Sequence, residues 1–347
     1  MTVLVTGASG FVGGALARRL LADGRSVRVL ARDPDAAVVH DLRDAGADVV
    51  QGDLRSPASL RAACDGAVAV FHAAAHLGDA GGPEPYRAVN VAGTRTLLAV
   101  SEAAGAVRRF VFVSSPSALM PPDGGDLLGI DESVPYPRHY FNHYCATKAA
   151  AEMIVLQHHS TMSCCSLRPR AVWGPGDHRG PIAIVLDRLA RRRVPDLDPG
   201  NPVLASLCHI DNLTAAAVAA IDAPAEKVSG RAYFLADAEP VDIWPMLRDL
   251  ARTFGLPAPG PRLPLPVATM AAVVAEQIWR LPILNVRLTP PISRYTLALL
   301  TRSATYDIAA AGRDFGYRPT VGVGDGLAGF RDWVQSVGGI SRLAAAR

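Results

Sequence analysis

Tyr144 and Lys148, in Tyr144-Cys145-Ala146-Thr147-Lys148, are the pair in this 347-residue chain whose types and spacing could move a proton. On a helix that spacing sets both side chains on one face, a turn apart. A free phenol with a pKa of about 10 is a poor base at neutral pH. A neighbouring ammonium favours the phenolate, and lowering it by ~3 units takes about 4 kcal/mol of differential interaction. Ser115, at the end of an apolar run, can bond the same substrate oxygen and hold it for hydride transfer. In isolation a Tyr-x-x-x-Lys pair is as readily a surface contact between helix neighbours. Its weight comes from what precedes it in the chain, a glycine turn and then a strand-end serine. Tyr136 and Tyr140 have no lysine four residues on.

The elements that must position this pair begin at the N-terminus. Thr2 to Thr6 is a short apolar and β-branched run, the glycines follow at Gly7, Gly10 and Gly13, and Ala15 to Leu21 reads as helix. Strand, tight turn and helix in that order make a seat for a pyrophosphate: Gly7 turns the chain, Gly10 admits the phosphates to the backbone, and Gly13 lets helix and strand close up. Ser9, Phe11 and Val12 complete the turn, whose helix start offers free N–H groups and a positive dipole end. Ser26 to Leu30 reads as a second strand, with Ala31 and Arg32 at its tip. An arginine there suits a 2'-phosphate and favours NADP; in the alternative, Arg32 is an ordinary loop charge and Asp33 meets a free ribose, leaving NAD(H) open.

Val49 to Leu54 reads as a strand whose exit residue Asp53 could accept from an adenine amino group, and Ser56-Pro57 as a cap opening a helix through Cys64. Val68 to His72 leads into Ala73, Ala74 and Ala75, small enough for a ligand to lie against the backbone. Tyr86 to Gly105 has one long helical pattern containing Asn90, and Phe110 to Val113 is apolar throughout, as a central parallel strand should be. Five strand-helix alternations predict an α/β fold with a doubly wound parallel sheet that binds ligands beyond its carboxyl edge, where Ser115 emerges.

Composition sets outer bounds. Half of the residues are hydrophobic and the net charge is +3, so a large core is available and no polyanion partner, nucleic acid included, is implied. Arg191-Arg192-Arg193 reads as a solvated helix end. Five cysteines without metal-ligand spacing read as buried free thiols of a reducing, cytoplasmic compartment. His72 and His76 lack further ligands for a metal, and no signal peptide precedes the first strand. Val267 to Leu281 is interrupted by Glu276, Gln277 and Arg280 and bounded by prolines, too short for a transmembrane segment.

Taken together, Thr6 to Gly13, Gly52-Asp53, Phe71 to Ala75, Asn90 to Thr94, Ser114-Ser115, Tyr144 to Lys148, Leu167-Arg168-Pro169 and Gly174 to Asp177 resemble an extended short-chain dehydrogenase/reductase of the NAD-dependent epimerase/dehydratase superfamily. The likeness continues more faintly from His209 to Leu213 and on to Phe315 to Pro319. It implies a Rossmann-type domain over 1–173, rejoined by 205–236, and a mostly helical substrate cap from 174–204 and 237–347. It implies a catalytic set of Ser115, Tyr144 and Lys148, with Asn90 supporting a proton relay. Tyr144 and Lys148 would also hold the nicotinamide ribose. Leu54 and Ala73 to Ala75 would line the cofactor, with Pro169, Ala171 and Val172 beside the nicotinamide. The helices 86–105 and 144–158 imply a homodimer by the same analogy.

Two features point away from nucleotide sugars. Their enzymes usually carry asparagine three residues before the glycine matching Gly174, and here Ala171 stands there. Met270, Val273, Val274, Ile278, Trp279, Leu281, Ile283, Leu284, Ile292 and Leu297 suit a greasy cap, as well as the core of a smaller domain. The segment resembles the cap of the 3β-hydroxysteroid dehydrogenase-like branch. The expectation is an NADP(H)-dependent oxidoreductase interconverting ketone and secondary alcohol on a hydrophobic substrate (steroid-like, β-keto acyl or polyketide and aromatic), working as a ketoreductase. Its rivals are a nucleotide-sugar epimerase or dehydratase with bound NAD, and a non-catalytic NADP-sensing protein. His139, His143, His158 and His159 read as loop or helix-end residues, and Asp242 as an N-cap.

Overall fold

In the computed structural model, which describes residues 1–78, 81–158, 162–279 and 292–345, thirteen strands are assigned among the described residues. They are β1 (Thr2–Thr6), β2 (Ser26–Ala31), β3 (Asp48–Gln51), β4 (Ala67–His72), β5 (Arg109–Val113), β6 (Leu127–Ile130), β7 (Ser163–Pro169), β8 (Val172–Trp173), β9 (Leu204–Ala205), β10 (Cys208–His209), β11 (Arg231–Leu235), β12 (Val241–Asp242) and β13 (Ala304–Tyr306). Seven form one parallel sheet in the order β3-β2-β1-β4-β5-β7-β11. The order reverses beside β1, and the crevice that reversal opens lies outside the strands' carboxyl ends.

Each central strand feeds two cores because its side chains alternate between faces. Val3, Val5, Phe71 and Val111 pack with Leu16 and Leu20 of the helix Phe11–Ala22 and Leu213 of the helix Ile210–Asp222. Leu4, Val70, Phe110 and Phe112 face the other way, onto Leu60, Leu97, Leu98 and Val155. With both faces covered, β5 and β7 are buried along their whole length.

A third core, around Trp173, Leu186, Trp244, Leu247, Leu297 and Phe330, gathers the helical C-terminal region. It is tied back by a four-stranded sheet, β12-β9-β13-β6, in which β13 pairs with β6. That pairing draws the helix Arg294–Thr301, just before β13, toward the loop that follows β5.

The expected helix over 86–105 is not continuous. It divides into Pro83–Tyr86, a π-helical stretch Arg87–Gly93, and Thr94–Ala103. The wider π turns accommodate a close approach at Gly93, where a Cβ would meet Leu54 Cβ at 2.9 Å. The apolar run of 267–281 falls mostly on the helix Leu265–Trp279, and among the described residues no helix is long and apolar enough to cross a membrane. His159, Arg280, Leu281, Ile283 and Leu284 lie outside the described residues.

Gly13 is the tightest contact of the first turn: a Cβ there would sit 2.4 Å from the Gly7 carbonyl oxygen. Gly24 has a φ of +74° but open space around it. Gly13→Ala is therefore expected to lower stability by about 3 kcal/mol, and Gly24→Ala by about 1 kcal/mol. Urea denaturation of both variants checks the ranking.

Candidate active site

The glycine turn is built as the residues dictate. Gly7 takes a φ of +74°, its carbonyl accepts from Gly10 N at 2.9 Å, and a Cβ on it would strike Ala74 N at 2.7 Å. The helix Phe11–Ala22 starts from Gly10 without a capping side chain, so its first-turn N–H groups have no side-chain acceptor. Ser9 and Gly10 are exposed, Phe11, Val12 and Ala73 to Ala75 half-buried. Bare backbone on two sides and an uncapped helix start fit the pyrophosphate of a dinucleotide.

Gly52 N donates to Ala31 O at 2.9 Å, so Arg32 and Asp53 leave neighbouring strands side by side. Arg32 is exposed at the tip. Both Asp53 oxygens are engaged by Arg55, at 2.9 Å from Nε and 2.9 Å from Nη2. Those bonds, with a contribution from Arg32, hold the carboxyl below its usual range. Asp53 thus stands at the strand tips already paired. The Leu54 side chain is buried in the second core.

Tyr144 and Lys148 lie on the helix His143–Gln157, which Asn142 caps by accepting from Cys145 N at 2.9 Å. Ser115 lies two residues beyond β5 and caps a short 3₁₀ turn, Pro116–Leu119. Ser115 lies close enough to the Tyr144 phenol to act on its pKa. The expected acidification of the phenol does not occur. Burial pushes it up to about 12, outweighing the effect of Ser115, which lowers it. Lys148, 3% exposed, gives its ammonium to the Val113 carbonyl and sits 4.5 Å over the Phe112 ring. Burial lowers its pKa to about 8, against the pull of Glu152 one turn on.

A buried polar chain joins the glycine turn to this helix. Thr94 donates its one hydrogen to the Asn90 carbonyl at 2.7 Å, so at the 2.9 Å contact between them His72 Nε2 is the donor. His72 Nδ1 then accepts from Thr6 Oγ1 at 2.7 Å. Burial, and after it the Lys148 charge, lower the imidazole to about 3, so it is neutral. Asn90, 2% exposed, accepts from His76 N at 2.6 Å and donates to Thr147 Oγ1 at 3.0 Å. It reaches Thr147, the residue before Lys148.

Pro169 ends β7, Ala171 takes a left-handed φ of 46°, and Val172 opens β8. A non-glycine residue held in that region is a local strain of the kind kept at ligand sites.

Several residues were not foreseen. Tyr136 donates to Glu152 at 2.5 Å, and Glu152 pairs with Arg168 at 2.7 Å with both buried. Burial and Glu152 raise the Tyr136 phenol, making it structural. Ser117 and Tyr295 extend the hydroxyl groups of the site into the C-terminal region, with Ser117 Oγ 2.6 Å from Tyr295 Oη. Nothing in the spacing of Tyr295, 178 residues from Ser117, could have signalled this.

Other expectations resolve simply. His139 and His143 are exposed, and His158 Nε2 lies 2.9 Å from Glu102. Asp242 stands at the N-cap position, but its side chain accepts from Val203 N at 3.2 Å and caps nothing. All five cysteines are buried and free. Of the apolar cap residues, Leu297 is core, Ile292 packs on it, and Met270, Val274 and Ile278 face outward.

A model of the 3-beta hydroxysteroid dehydrogenase/isomerase family matches residues 4–266. The chain belongs to that family. As a member of the short-chain dehydrogenase/reductase superfamily it is an NAD(P)-dependent oxidoreductase. It is 34% identical to a 2-alkyl-3-oxoalkanoate reductase of Stenotrophomonas maltophilia (strain K279a), covering 94% of this chain and 97% of that one. It is likewise 34% identical to a 4-hydroxy-2-methyl-3-oxo-4-farnesyl-3,4-dihydroquinoline-1-oxide ketoreductase of Stigmatella aurantiaca, over 95% and 96% of the two chains. Among solved structures, MoeE5 in complex with UDP-glucose and NAD superposes with a TM-score of 0.71 at 25% identity, over 97% of this chain and 99% of that one.

Lys148 carries a pH signature of this family member's site. Below its folded pKa of about 8 the buried charge penalises folding, and the penalty lifts as pH rises toward the unfolded value. Between pH ~8 and ~10 stability should rise by up to about 3 kcal/mol relative to Lys148→Met. Denaturant titrations of both proteins across that range measure the difference.

Proposed function

We propose that this chain reduces a ketone on a hydrophobic substrate to a secondary alcohol with NADPH, through Ser115, Tyr144 and Lys148. The observation that carries the reading is the placing of the Tyr144 phenol beside Ser115, beyond the carboxyl edge of the sheet, with the buried Lys148 ammonium one turn away on the same helix and the phenol pushed up to about 12. A phenol of that pKa is protonated at neutral pH and suits proton donation to a carbonyl that is becoming an alkoxide.

Ser115 positions the carbonyl oxygen by a hydrogen bond, and Tyr144 gives it the proton. Lys148, anchored at the Val113 carbonyl, places a cation behind the phenol and holds the ribose side of the crevice. Asn90 fixes Thr147 and so the turn carrying Lys148. The nicotinamide, when bound, supplies the hydride. Gly7, Ser9, Gly10, Phe11, Val12 and Gly13 would seat its pyrophosphate, Ala73 to Ala75 and Pro169 to Val172 would flank it, and Arg32 would take the 2'-phosphate. The cofactor unit is 1–173 with 205–236, and 174–204 with 237–347 forms the cap. The outer faces of 94–103 and 143–157 serve a homodimer. Two relatives named for reductions of oxo compounds support the direction. Ala171, in place of the asparagine usual in nucleotide-sugar enzymes, weighs against that substrate class.

The test is oxidation of NADPH and NADH by the purified protein against steroidal, β-keto acyl and aromatic ketones. Consumption with NADPH is expected, Tyr144→Phe lowering kcat by about 10²-fold or more, and Arg32→Ala reducing the NADPH preference by about tenfold. Activity with NADH alone would overturn the role of Arg32; undiminished activity of Tyr144→Phe would overturn the mechanism.

A further inference from the structure

Away from the active site, the helix Leu265–Trp279 turns an apolar face to solvent. Val267, Met270, Val274 and Ile278 follow one another at spacings of three and four residues and so form one stripe, and they are 54%, 65%, 49% and 41% exposed. Ala268 and Ala272, on the inner side, are buried in the C-terminal core. Glu276, the one charged residue of the helix, is drawn aside by Arg294, whose Nε donates to Glu276 Oε2 at 2.8 Å. Thr269 donates back into the helix, to Leu265 O at 2.8 Å. Large apolar side chains are ordinarily exposed singly, and a continuous stripe of them marks a contact surface.

A group of cations borders this face. The helix Pro181–Ala190 runs into Arg191-Arg192-Arg193, where Arg192 takes a left-handed φ of 55° and Arg193 N returns to Arg188 O at 2.8 Å. The chain then passes beside the segment that enters the apolar helix: Gly260 N donates to Val194 O at 2.7 Å, and Leu263 N to Asp196 O at 2.8 Å. All three arginines are exposed, and so is Arg262, between those two bonds. The acids nearby are already taken, Asp187 by Arg191 at 2.8 Å, and Asp196 and Asp198 by Arg248 at 3.4 and 2.7 Å. Arg192, Arg193 and Arg262 have no ion-pair partner among the described residues.

We infer that this face docks on an anionic lipid surface, the helix Leu265–Trp279 lying in the plane of the interface with its stripe toward the acyl chains and Arg192, Arg193 and Arg262 at the headgroups. An apolar stripe and basic residues at its border supply the two contributions that hold a protein on such a surface, burial of hydrocarbon and attraction to negative headgroups. At 15 residues the helix is too short to cross a bilayer. A second copy meeting the same patch would bury the stripe but bring no free carboxylate to the arginines, because the acids there are already paired. Docking of this kind is independent of the reaction proposed above.

The test is sedimentation of the full-length protein with vesicles of phosphatidylcholine alone and of phosphatidylcholine mixed with phosphatidylglycerol. The protein should pellet with the mixed vesicles, stay in solution with the neutral ones, and be released as salt is raised. Arg192→Ala made together with Arg193→Ala should weaken binding to the mixed vesicles by about tenfold. Met270→Gln made together with Val274→Gln should weaken it by about tenfold as well. Both double variants should unfold at the parent's urea concentration, since the side chains changed are exposed. A parent protein that stays in solution with both kinds of vesicle, or pellets equally with both and is unaffected by loss of the arginines, would overturn the inference. So would light scattering that finds a parent dimer dissociated by Met270→Gln with Val274→Gln, which would assign the face to a second copy.

Discussion

Desolvation along the wedge between β5 and the helix His143–Gln157, nearly complete at His72 and Lys148 and partial at Tyr144, sets the charge state of the whole site. Burial moves three groups there in the directions that disfavour charge: the Tyr144 phenol up to about 12, Lys148 down to about 8 and His72 down to about 3. The outcome is a protonated phenol, a neutral imidazole and an ammonium that depends on the Val113 carbonyl and the Phe112 ring for its solvation. A charged His72 would lie near Lys148 and repel it, so the neutral tautomer is part of how the cation is kept.

The same burial favours polar groups that find partners, and a chain of such partners joins the two halves of the site, while Ser114 Oγ and Asn142 Nδ2 are buried without one among the described residues. Thr6, directly before the glycine turn, is tied through His72 and Thr94 to Asn90, and Asn90 to Thr147. A cofactor seat and a proton donor built from segments more than a hundred residues apart are thereby held in one frame. On the far side, Glu152 and Arg168 join the Tyr144 helix to β7, and Tyr136 closes that buried pair. Such a pair is costly to break on one side, since the remaining charge has no solvent.

Much of this was legible in the residues. Glycine spacing, strand periodicity and the cap at Ser56 are local signals, so the first turn, the parallel sheet and the Pro57–Cys64 helix were readable, with the Ser56 side chain accepting from Ser59 N as expected. The Ser115, Tyr144 and Lys148 positions were readable because the order of motifs along the chain is itself the signal. The phenol's pKa was not. A sequence displays which charge is four residues away but not how much water is lost, and here desolvation is the largest effect on the phenol. The π-helical turns around Asn90 and the Tyr295 contact depend on packing between distant segments, β6 with β13 and Gly93 with Leu54, which no local pattern encodes.

The most direct measurement is a spectrophotometric titration of tyrosine ionisation in the parent protein and in Tyr144→Phe. With the phenol held at about 12, the two proteins should show the same tyrosinate absorbance up to pH ~10 and diverge only in more alkaline solution. Tyrosinate present in the parent near neutral pH and missing from the variant would contradict the claim that burial keeps this phenol protonated as the proton donor.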